Sequence, residues 1–187
     1  MRIIAGNFKG KKLSIPKDNH TRPLRDAVKE SIFNILEHSK LITFKFHNSK
    51  ILDLFSGVGT FGLECISRNS RYVTFFENYN LTLKLLKKNI NSLNCFSKTE
   101  IFEEDVFNLE KIDIKFEKYE LVFLDPPYKE NKVKSLLDII KNKKILKENG
   151  IILIHRDKKD LDQFPNNFKI LITKNYGRSK IIFGKFD

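Results

Sequence analysis

The stretch Ile51-Leu52-Asp53-Leu54-Phe55-Ser56-Gly57-Val58-Gly59-Thr60-Phe61-Gly62 decides the fold of this chain. Its first five residues form an apolar run typical of a buried strand, and a helical pattern follows at about residues 60–69. The glycines have the spacing G-x-G-x-x-G between strand and helix, which permits a tight turn and a close approach of the backbone to a ligand. The stretch therefore predicts an α/β fold with a ligand site at this turn.

Three further predicted strands are each followed by an acidic residue. Glu77 lies 20 residues beyond Gly57, where a ribose-binding carboxylate is expected. Asp105 and Asp125 follow the next two strands. Because the carboxyl ends of parallel strands meet at one edge of a sheet, we expect these carboxylates to surround one site. The strands concerned are predicted at residues 72–76, 99–102 and 121–124.

The segment Asp125-Pro126-Pro127-Tyr128 indicates the chemistry of the site. Two prolines continue neither a strand ladder nor a helix interior, so they stiffen the backbone where the strand ends. A planar amine can donate hydrogen bonds to the Asp125 carboxylate and the Pro126 carbonyl, while its ring stacks on Tyr128. This arrangement suits methyl transfer to an exocyclic amino group of a nucleic-acid base.

The remaining pattern predicts one domain, residues 1–187, with a basic N-terminal arm at 1–25 and a helix plus α/β core at 26–187. We expect a Rossmann-like α/β fold: a seven-stranded, mostly parallel sheet with an antiparallel last strand, helices on both faces and an N-terminal arm or hairpin. Since the strands begin near Ile51, the core is expected to survive removal of residues 1–20. Further strands are predicted at 151–154, 168–173 and 180–186, and helices at 26–37, 60–69, 81–93 and 131–143.

Positive charge is concentrated at the two ends of the chain. The net charge is +12, and residues 1–25 and 169–187 together supply ten of these charges. Compositional drift would spread the excess evenly, so its concentration favours contact with a polyanion such as RNA. The residues predicted to bind RNA are Lys9, Lys11, Lys12, Arg22, Arg25 and Arg178.

Several classes of protein do not fit the composition. No apolar stretch approaches the roughly 18 residues of a membrane span, and the start lacks the apolar region of a signal peptide, so we expect a cytoplasmic protein without membrane contact. The four histidines have no metal-ligand spacing, and no metal site is expected. Cys65 and Cys95 are interpreted as unpaired residues. A monomer is expected.

The chain resembles the class I S-adenosylmethionine-dependent methyltransferases, and more narrowly the bacterial 16S rRNA guanine-N2-methyltransferases that modify guanine 966. The similarity extends over nearly the whole chain. The DPPY tetrapeptide is shared with many amino-methylating enzymes, whereas the N-terminal block is what points to the rRNA subgroup. The matching segments are residues 2–6, 10–13, 22–36, 53–64, 125–128 and 176–177.

This resemblance implies S-adenosylmethionine as cofactor and 16S rRNA, or a partly assembled small ribosomal subunit, as partner. It implies that Glu77 holds the cofactor ribose and that Asp105 lies near the adenine amine. The catalytic residues implied are Asp125, Pro126, Pro127 and Tyr128. The cofactor-binding residues implied are Asp53, Phe55, Gly57, Gly59, Glu77, Asp105 and Asp125.

One departure from the family pattern follows the fifth strand. The family often has a glutamate there, whereas this chain has Ile154-His155-Arg156. This difference puts in doubt any acidic contact near that edge, and we expect it to leave the methyl-transfer site unaffected.

Three other interpretations stay open. The same chemistry could act on adenine N6 or on another amino group in DNA or RNA. A nicotinamide-dependent oxidoreductase would use the same glycine turn and Glu77, but it leaves Asp125-Pro126-Pro127-Tyr128 and the basic ends unexplained. A non-catalytic RNA-binding protein on a degenerate methyltransferase fold is disfavoured by the presence of Asp53, Glu77 and Asp125.

Overall fold

A computed structural model describes residues 1–16, 24, 26–112, 118–127 and 130–187. Within these residues, strands and helices alternate along most of the chain, as the hydrophobic pattern predicts. The strands are β1 (Lys50–Leu54), β2 (Tyr72–Phe76), β3 (Thr99–Phe102), β4 (Tyr119–Leu124), β5 (Leu146–Asp157), β6 (Phe168–Tyr176) and β7 (Ser179–Phe186). The helices are α1 (Asp26–His38), α2 (Thr60–Ser67), α3 (Asn80–Ser92) and α4 (Val133–Asn142).

The strands form one sheet in the order β3-β2-β1-β4-β5-β7-β6. The first five strands pair in parallel, and β7 runs antiparallel to both β5 and β6. The predicted sheet with a reversed last strand is therefore confirmed. From β1 the chain runs outward to β3 and then returns to β4 on the other side of β1, so the strand order reverses between β1 and β4. This reversal opens a crevice at the carboxyl ends of these two strands.

Both faces of the sheet are covered. On one face, Phe33, Phe61 and Leu86 of α1, α2 and α3 pack against strand residues such as Ile51. On the other, Leu136 and Ile140 of α4 pack against the alternate residues of the strands. Burial on both faces explains the continuous apolar runs of β1 and β4. Among the described residues, no helix has both the length and the apolar composition to cross a bilayer.

The N-terminal residues form a hairpin that packs on α2. Ile3 pairs through its backbone with Gly10 and Lys11, and its side chain is fully buried in the core. The turn passes so close to the end of α2 that a Cβ on Gly6, whose φ is +77°, would lie 1.9 Å from the backbone oxygen of Ser67. Only glycine fits this approach, so the hairpin is seated tightly.

Two buried charged residues hold this hairpin in place. The Glu64 carboxylate accepts backbone hydrogen bonds from Ile4 at 2.7 Å and Ala5 at 2.9 Å. The Lys29 ammonium donates to the Arg2 carbonyl at 2.7 Å and lies 3.8 Å from Glu64. Removing the hairpin would take two donors from a buried carboxylate and an acceptor from a buried ammonium. The structure thus argues against the expectation that the core survives removal of residues 1–20.

The largest boundary difference concerns β5, which is predicted at 151–154 and extends over Leu146–Asp157, five residues longer at its start and three longer at its carboxyl end. The antiparallel ladder with β7 sustains the extra residues at the carboxyl end, pairing His155 with Ile181 and Asp157 with Ser179. A polar end of this kind gives little strand signal in the sequence, because cross-strand pairing stabilises it more than apolar burial does. The extension places His155 at the carboxyl edge of the sheet.

Candidate active site

A cavity of about 410 Å³ lies along the carboxyl edge of the sheet. Residues that follow each of β1 to β4 contribute to its walls, as do Phe76 in β2, His155 in β5, and Pro16 and Leu24 from the segment before α1. The residues that line it are Pro16, Leu24, Phe55, Ser56, Gly57, Val58, Thr60, Phe76, Glu77, Asn78, Tyr79, Thr82, Glu104, Asp105, Val106, Asp125, Pro126, Pro127 and His155.

The glycine-rich turn has the backbone that its sequence predicts. Gly59 has a φ of +82°, and a Cβ at this position would lie 2.4 Å from the Leu86 side chain, so both conformation and space require glycine. Phe55 also has a positive φ of 62°, which is uncommon for a residue with a large side chain. Strained conformations of this kind concentrate at ligand sites.

Asp53 lies beneath the turn and does not line the cavity. One carboxylate oxygen, Oδ2, accepts a hydrogen bond from the Gly62 backbone at 3.0 Å, which ties β1 to the first turn of α2. The other, Oδ1, is buried and has no hydrogen-bond partner among the described residues. Burial raises the pKa of Asp53 well above its ordinary value, the Gly62 hydrogen bond opposes the shift, and the charges of Asp125 and Glu77 add to it.

Glu77 follows β2 and supports the glycine turn directly. Its carboxylate accepts hydrogen bonds from the backbone of Gly57 at 2.6 Å and of Tyr79 at 2.8 Å. A carboxylate offers about four acceptor positions, so capacity for hydroxyl donors remains. Glu77 therefore fixes the turn and also borders the cavity.

The cavity is acidic although the protein as a whole is basic. Glu77, Glu104, Asp105 and Asp125 line it, and none of the described lining residues is a lysine or an arginine. The Asp105 side chain accepts a hydrogen bond from the Phe107 backbone at 2.9 Å, which fixes its position after β3. An excess of carboxylates favours a cationic ligand over an anionic one.

Asp125 is held between two neighbouring strands. Its backbone nitrogen donates to the Leu54 carbonyl of β1 at 3.4 Å. Its Oδ1 lies 2.8 Å from Nδ1 of His155, whose Nε2 lies 2.9 Å from the hydroxyl of Ser179. Burial lowers the pKa of His155, but the hydrogen bond and the charge of Asp125 outweigh that effect, so the pKa lies above its ordinary 6.5. The expectation that the sequence departure at His155 leaves this site unaffected is wrong, because His155 contacts the predicted catalytic carboxylate.

Arg156 supports the far end of the same loop. Its guanidinium donates to the Glu130 carbonyl at 2.7 Å and to Asp162 at 2.6 Å. Asp162 also lies 3.0 Å from the Lys180 ammonium. Adjacent residues of β5 thus contact both ends of the segment 125–130, His155 at its start and Arg156 at its end.

The structure brings together most of the predicted site residues. Asp53 and Gly59 belong to the support of the turn and do not face the cavity. Tyr128, Arg22 and Arg25 lie outside the described residues. The predicted residues that line the cavity are Phe55, Gly57, Glu77, Asp105, Asp125, Pro126 and Pro127.

The predicted RNA-binding residues divide between two places. Arg178 is exposed in the turn between β6 and β7, and its guanidinium lies 3.4 Å from the Asp157 carboxylate at the cavity edge of the sheet. Lys9, Lys11 and Lys12 are exposed on the N-terminal hairpin. That hairpin is bound to Ser67 at the end of α2, about 10 Å along the helix from the cavity.

Sequence reasoning missed His155, Ser179 and Arg156 as parts of the site. A signal for His155 was present, since it follows the apolar run 151–154 that was predicted as a strand ending at the same edge. Ser179 had no such signal, because its role depends on the register between β5 and β7.

Comparison with known proteins agrees with this geometry. The family model described as Conserved hypothetical protein 95 matches residues 1–185. A relative from Buchnera aphidicola, named Ribosomal RNA small subunit methyltransferase D, is 36% identical over 172 residues, which cover 92% of this chain and 86% of the relative. A protein of the same name from Haemophilus influenzae is 33% identical over 178 residues, covering 95% and 89%.

Solved structures have the same fold. A protein described as a candidate methyltransferase from Escherichia coli superposes with a TM-score of 0.83 at 23% identity, covering 100% of this chain and 98% of that one. A candidate methylase from Haemophilus influenzae gives a TM-score of 0.78 at 30% identity, covering 98% and 96%. The family model and the two relatives confirm the resemblance to small-subunit rRNA methyltransferases inferred from the sequence, and the superpositions confirm the fold.

Proposed function

We propose that this chain, which belongs to the Conserved hypothetical protein 95 family, is an S-adenosylmethionine-dependent methyltransferase that methylates ribosomal RNA of the small subunit. The observation that carries the proposal is the position of Asp125-Pro126-Pro127. The segment follows β4 at the point where the strand order reverses, on the wall of an acidic cavity. Relatives of this chain are named small subunit rRNA methyltransferases.

The cavity fits S-adenosylmethionine better than it fits a nicotinamide dinucleotide. A sulfonium and an ammonium make the former a cation overall, which suits a site lined by four carboxylates. A pyrophosphate would need unpaired backbone donors at the glycine turn, yet the Gly57 N–H is already bonded to Glu77. Glu77 is the residue we assign to the ribose hydroxyls, and Asp105 to the adenine amine. The acidic lining argues against the oxidoreductase interpretation.

S-adenosylmethionine, when bound, supplies a methyl group that its sulfonium has already activated. The protein therefore contributes mainly orientation. Asp125 and the Pro126 carbonyl accept hydrogen bonds from the two hydrogens of the target amine and hold its nitrogen towards the cavity. As the nitrogen becomes positive, the Asp125 carboxylate stabilises that charge, and it receives the proton that the nitrogen releases afterwards.

The substrate is proposed to be the exocyclic N2 amine of a guanine in 16S rRNA. The target base must leave its stack or already be single-stranded to reach a recessed carboxylate. Tyr128 is assigned to stacking on that base. The exposed basic residues of the hairpin and of the β6–β7 turn supply phosphate contacts on either side of the site. The same amine-binding geometry accommodates adenine N6. The nucleoside that carries the label distinguishes guanine from adenine as the target base.

The test uses small ribosomal subunits from bacteria that lack this methylation. Purified protein and labelled S-adenosylmethionine are incubated with assembled subunits, with naked 16S rRNA and with duplex DNA, and the digested nucleosides are separated. We expect N2-methylguanosine from rRNA, and no label when Asp125→Ala replaces the wild type. N6-methyladenosine as the product, or labelling of DNA alone, would overturn the guanine assignment.

A further inference from the structure

Asp125, His155 and Ser179 form a hydrogen-bonded chain that extends away from the cavity. The His155 side chain is 7% exposed and the Asp125 side chain 28% exposed. His155 therefore contacts the more accessible carboxylate from its protected side. Ser179, the first residue of β7, binds the opposite ring nitrogen and limits rotation of the imidazole.

The direction of these hydrogen bonds follows from the chemistry of the groups. An ionised carboxylate only accepts, so Nδ1 of His155 carries the hydrogen and donates it to Oδ1 of Asp125. Nε2 accepts from the Ser179 hydroxyl when the ring is neutral and donates to it when the ring is protonated. The serine hydroxyl serves both states, so the contacts persist while the charge of His155 changes.

We propose that His155, oriented by Ser179, is a positioning residue for methyl transfer: its Nδ1–H engages Oδ1 of Asp125 and leaves Oδ2 to meet the target amine. The inference rests on the proposed function, because it assumes that Asp125 receives an amine. A carboxylate held at one oxygen cannot rotate freely about its bond to the chain, so the geometry of the acceptor is fixed before the substrate arrives.

The neutral imidazole is the competent form. Methyl transfer places positive charge on the amine nitrogen, and the Asp125 carboxylate stabilises it. A protonated ring 2.8 Å from the carboxylate would offset that negative charge. The turnover rate should therefore rise with pH through the pKa of His155, which lies above 6.5.

Other charges surround His155 and set where this titration occurs. On its own strand, the charge of Arg156 lowers the pKa of His155 and that of Asp157 raises it, while Arg178 in the β6–β7 turn contacts Asp157. Lys180 of β7 and Arg156 are both paired with Asp162. Beyond Asp125 lie the carboxylates of Asp53 and Glu77. None of these groups is changed in the variants below.

The kinetic test compares His155→Asn, His155→Leu and Ser179→Ala by single-turnover methylation of small subunits. Asparagine places an amide N–H donor near the position of Nδ1 and does not titrate near neutral pH. Leucine has no hydrogen-bond donor. We expect His155→Leu to lower the rate about 100-fold, with affinities for S-adenosylhomocysteine and RNA within about twofold. His155→Asn should stay within about fivefold of the wild type and lose the rise with pH. The control His38→Asn changes an exposed histidine and should keep both the rate and the pH profile.

Ser179→Ala provides a variant with a smaller packing change. It should lower the rate a few-fold and shift the pH dependence, because Nε2 loses its hydrogen bond with the Ser179 hydroxyl. A rate for His155→Leu within threefold of the wild type, or a loss in His155→Asn as large as in His155→Leu, would overturn the positioning role. A pH dependence that survives in His155→Asn would assign the titration to another group.

A second readout does not require activity. Nitrogen NMR of the imidazole should show hydrogen on Nδ1 in the neutral ring and a pKa that falls in Asp125→Asn.

The stabilisation that His155 gains from Asp125 is complete below the unfolded pKa and is lost as the pH rises through the higher folded pKa. The difference in unfolding free energy between wild type and His155→Asn should therefore shrink as the pH rises above 6.5 and through the folded pKa of His155, while activity rises. An imidazole pKa that Asp125→Asn leaves unchanged would overturn the inference. A wild type that methylates no substrate, with the NMR coupling intact, would instead overturn the proposed function.

Discussion

Two carboxylates that are each almost completely buried, Glu64 and Asp53, have opposite surroundings. Glu64 receives two backbone N–H donors, the Nε of Arg68 at 3.1 Å and the nearby ammonium of Lys29. Asp53 receives one backbone donor, and its second oxygen has no partner among the described residues. The first carboxylate closes the N-terminal hairpin onto α2, and the second lies under the cavity at the carboxyl edge of the sheet.

The difference separates a carboxylate whose acceptor positions are occupied from one that keeps unused acceptor capacity. A buried charge with all its positions occupied contributes to the fold and has nothing left to offer a substrate. At the cavity edge, Glu77 and Asp125 use only part of their acceptor capacity on the protein. Unused acceptor capacity beside a cavity is what a hydrogen-bonding ligand requires, whereas charge alone would have pointed equally to Glu64.

Asp125→Ala should have the largest effect of these substitutions, and that effect should be on catalysis more than on stability. It removes the group assigned to the amine, so kcat should fall about 10³-fold, with the free energy of unfolding lowered by only about 1–2 kcal/mol through the lost hydrogen bond of His155. Turnover of rRNA and urea denaturation measure the two effects. Glu103→Gln removes an exposed carboxylate just outside the cavity and should leave kcat unchanged. A large loss of stability in Asp125→Ala would mean that this carboxylate is structural as well.

Glu64→Gln tests the other side of the comparison. It leaves the Lys29 ammonium buried without its main counter-charge, which should lower the free energy of unfolding by about 3 kcal/mol. Urea denaturation measures this loss, and kcat per folded molecule should stay near that of the wild type. The matched control is Glu37→Gln, which removes the more exposed carboxylate partner of Arg68. A drop in kcat with unchanged stability would show that Glu64 has a functional part.

Glu77→Ala should have an intermediate effect on ligand binding, because Glu77 both supports the glycine turn and borders the cavity. Losing charge-assisted bonds to ribose hydroxyls, together with the support of Gly57, should weaken S-adenosylhomocysteine binding by about 1.5–3 kcal/mol. Calorimetric titration measures the affinity, with Glu103→Ala as control. Unchanged affinity would remove Glu77 from the cofactor site and leave it a support for the turn alone.

The smallest effect is expected from the exposed lysines of the hairpin. Replacing Lys9, Lys11 and Lys12 by glutamine should weaken rRNA binding a few-fold and reduce its salt dependence by up to about one unit of slope per phosphate contact. The control triple variant changes Lys134, Lys141 and Lys144, which are exposed in the nearly neutral middle of the chain. Equal slopes in the two triple variants would show that the hairpin charge does not contact RNA.

The sequence was most informative where function depends on local order. The apolar strands and the acids that follow them are adjacent in the chain, so the order of residues alone predicts Glu77, Asp105 and Asp125 at one edge of the sheet. Parallel strands separated by helices make this inference reliable, because their carboxyl ends coincide.

The sequence was least informative where function depends on pairing between distant segments. In the sequence, Glu64 and Lys29 cannot be told from exposed charged residues of a helix. The hairpin backbone that bonds to Glu64 lies 60 residues before it in the chain. His155 was placed outside β5 because a polar strand end is stabilised by its partner strand, in this case β7. Neither contact leaves a periodic pattern in the chain.

The position of β7 has a consequence for the order in which the protein can mature. β7, which follows β6 in the chain, is inserted between β5 and β6, and it begins with Ser179. A nascent chain that has not yet emerged past this residue leaves β5 and β6 without their common neighbour and His155 without its contact to the Ser179 hydroxyl. Synthesis must therefore pass β7 before Asp125 is held as it is in the folded protein, and a product truncated before β7 would carry every residue of the acidic cavity without this support.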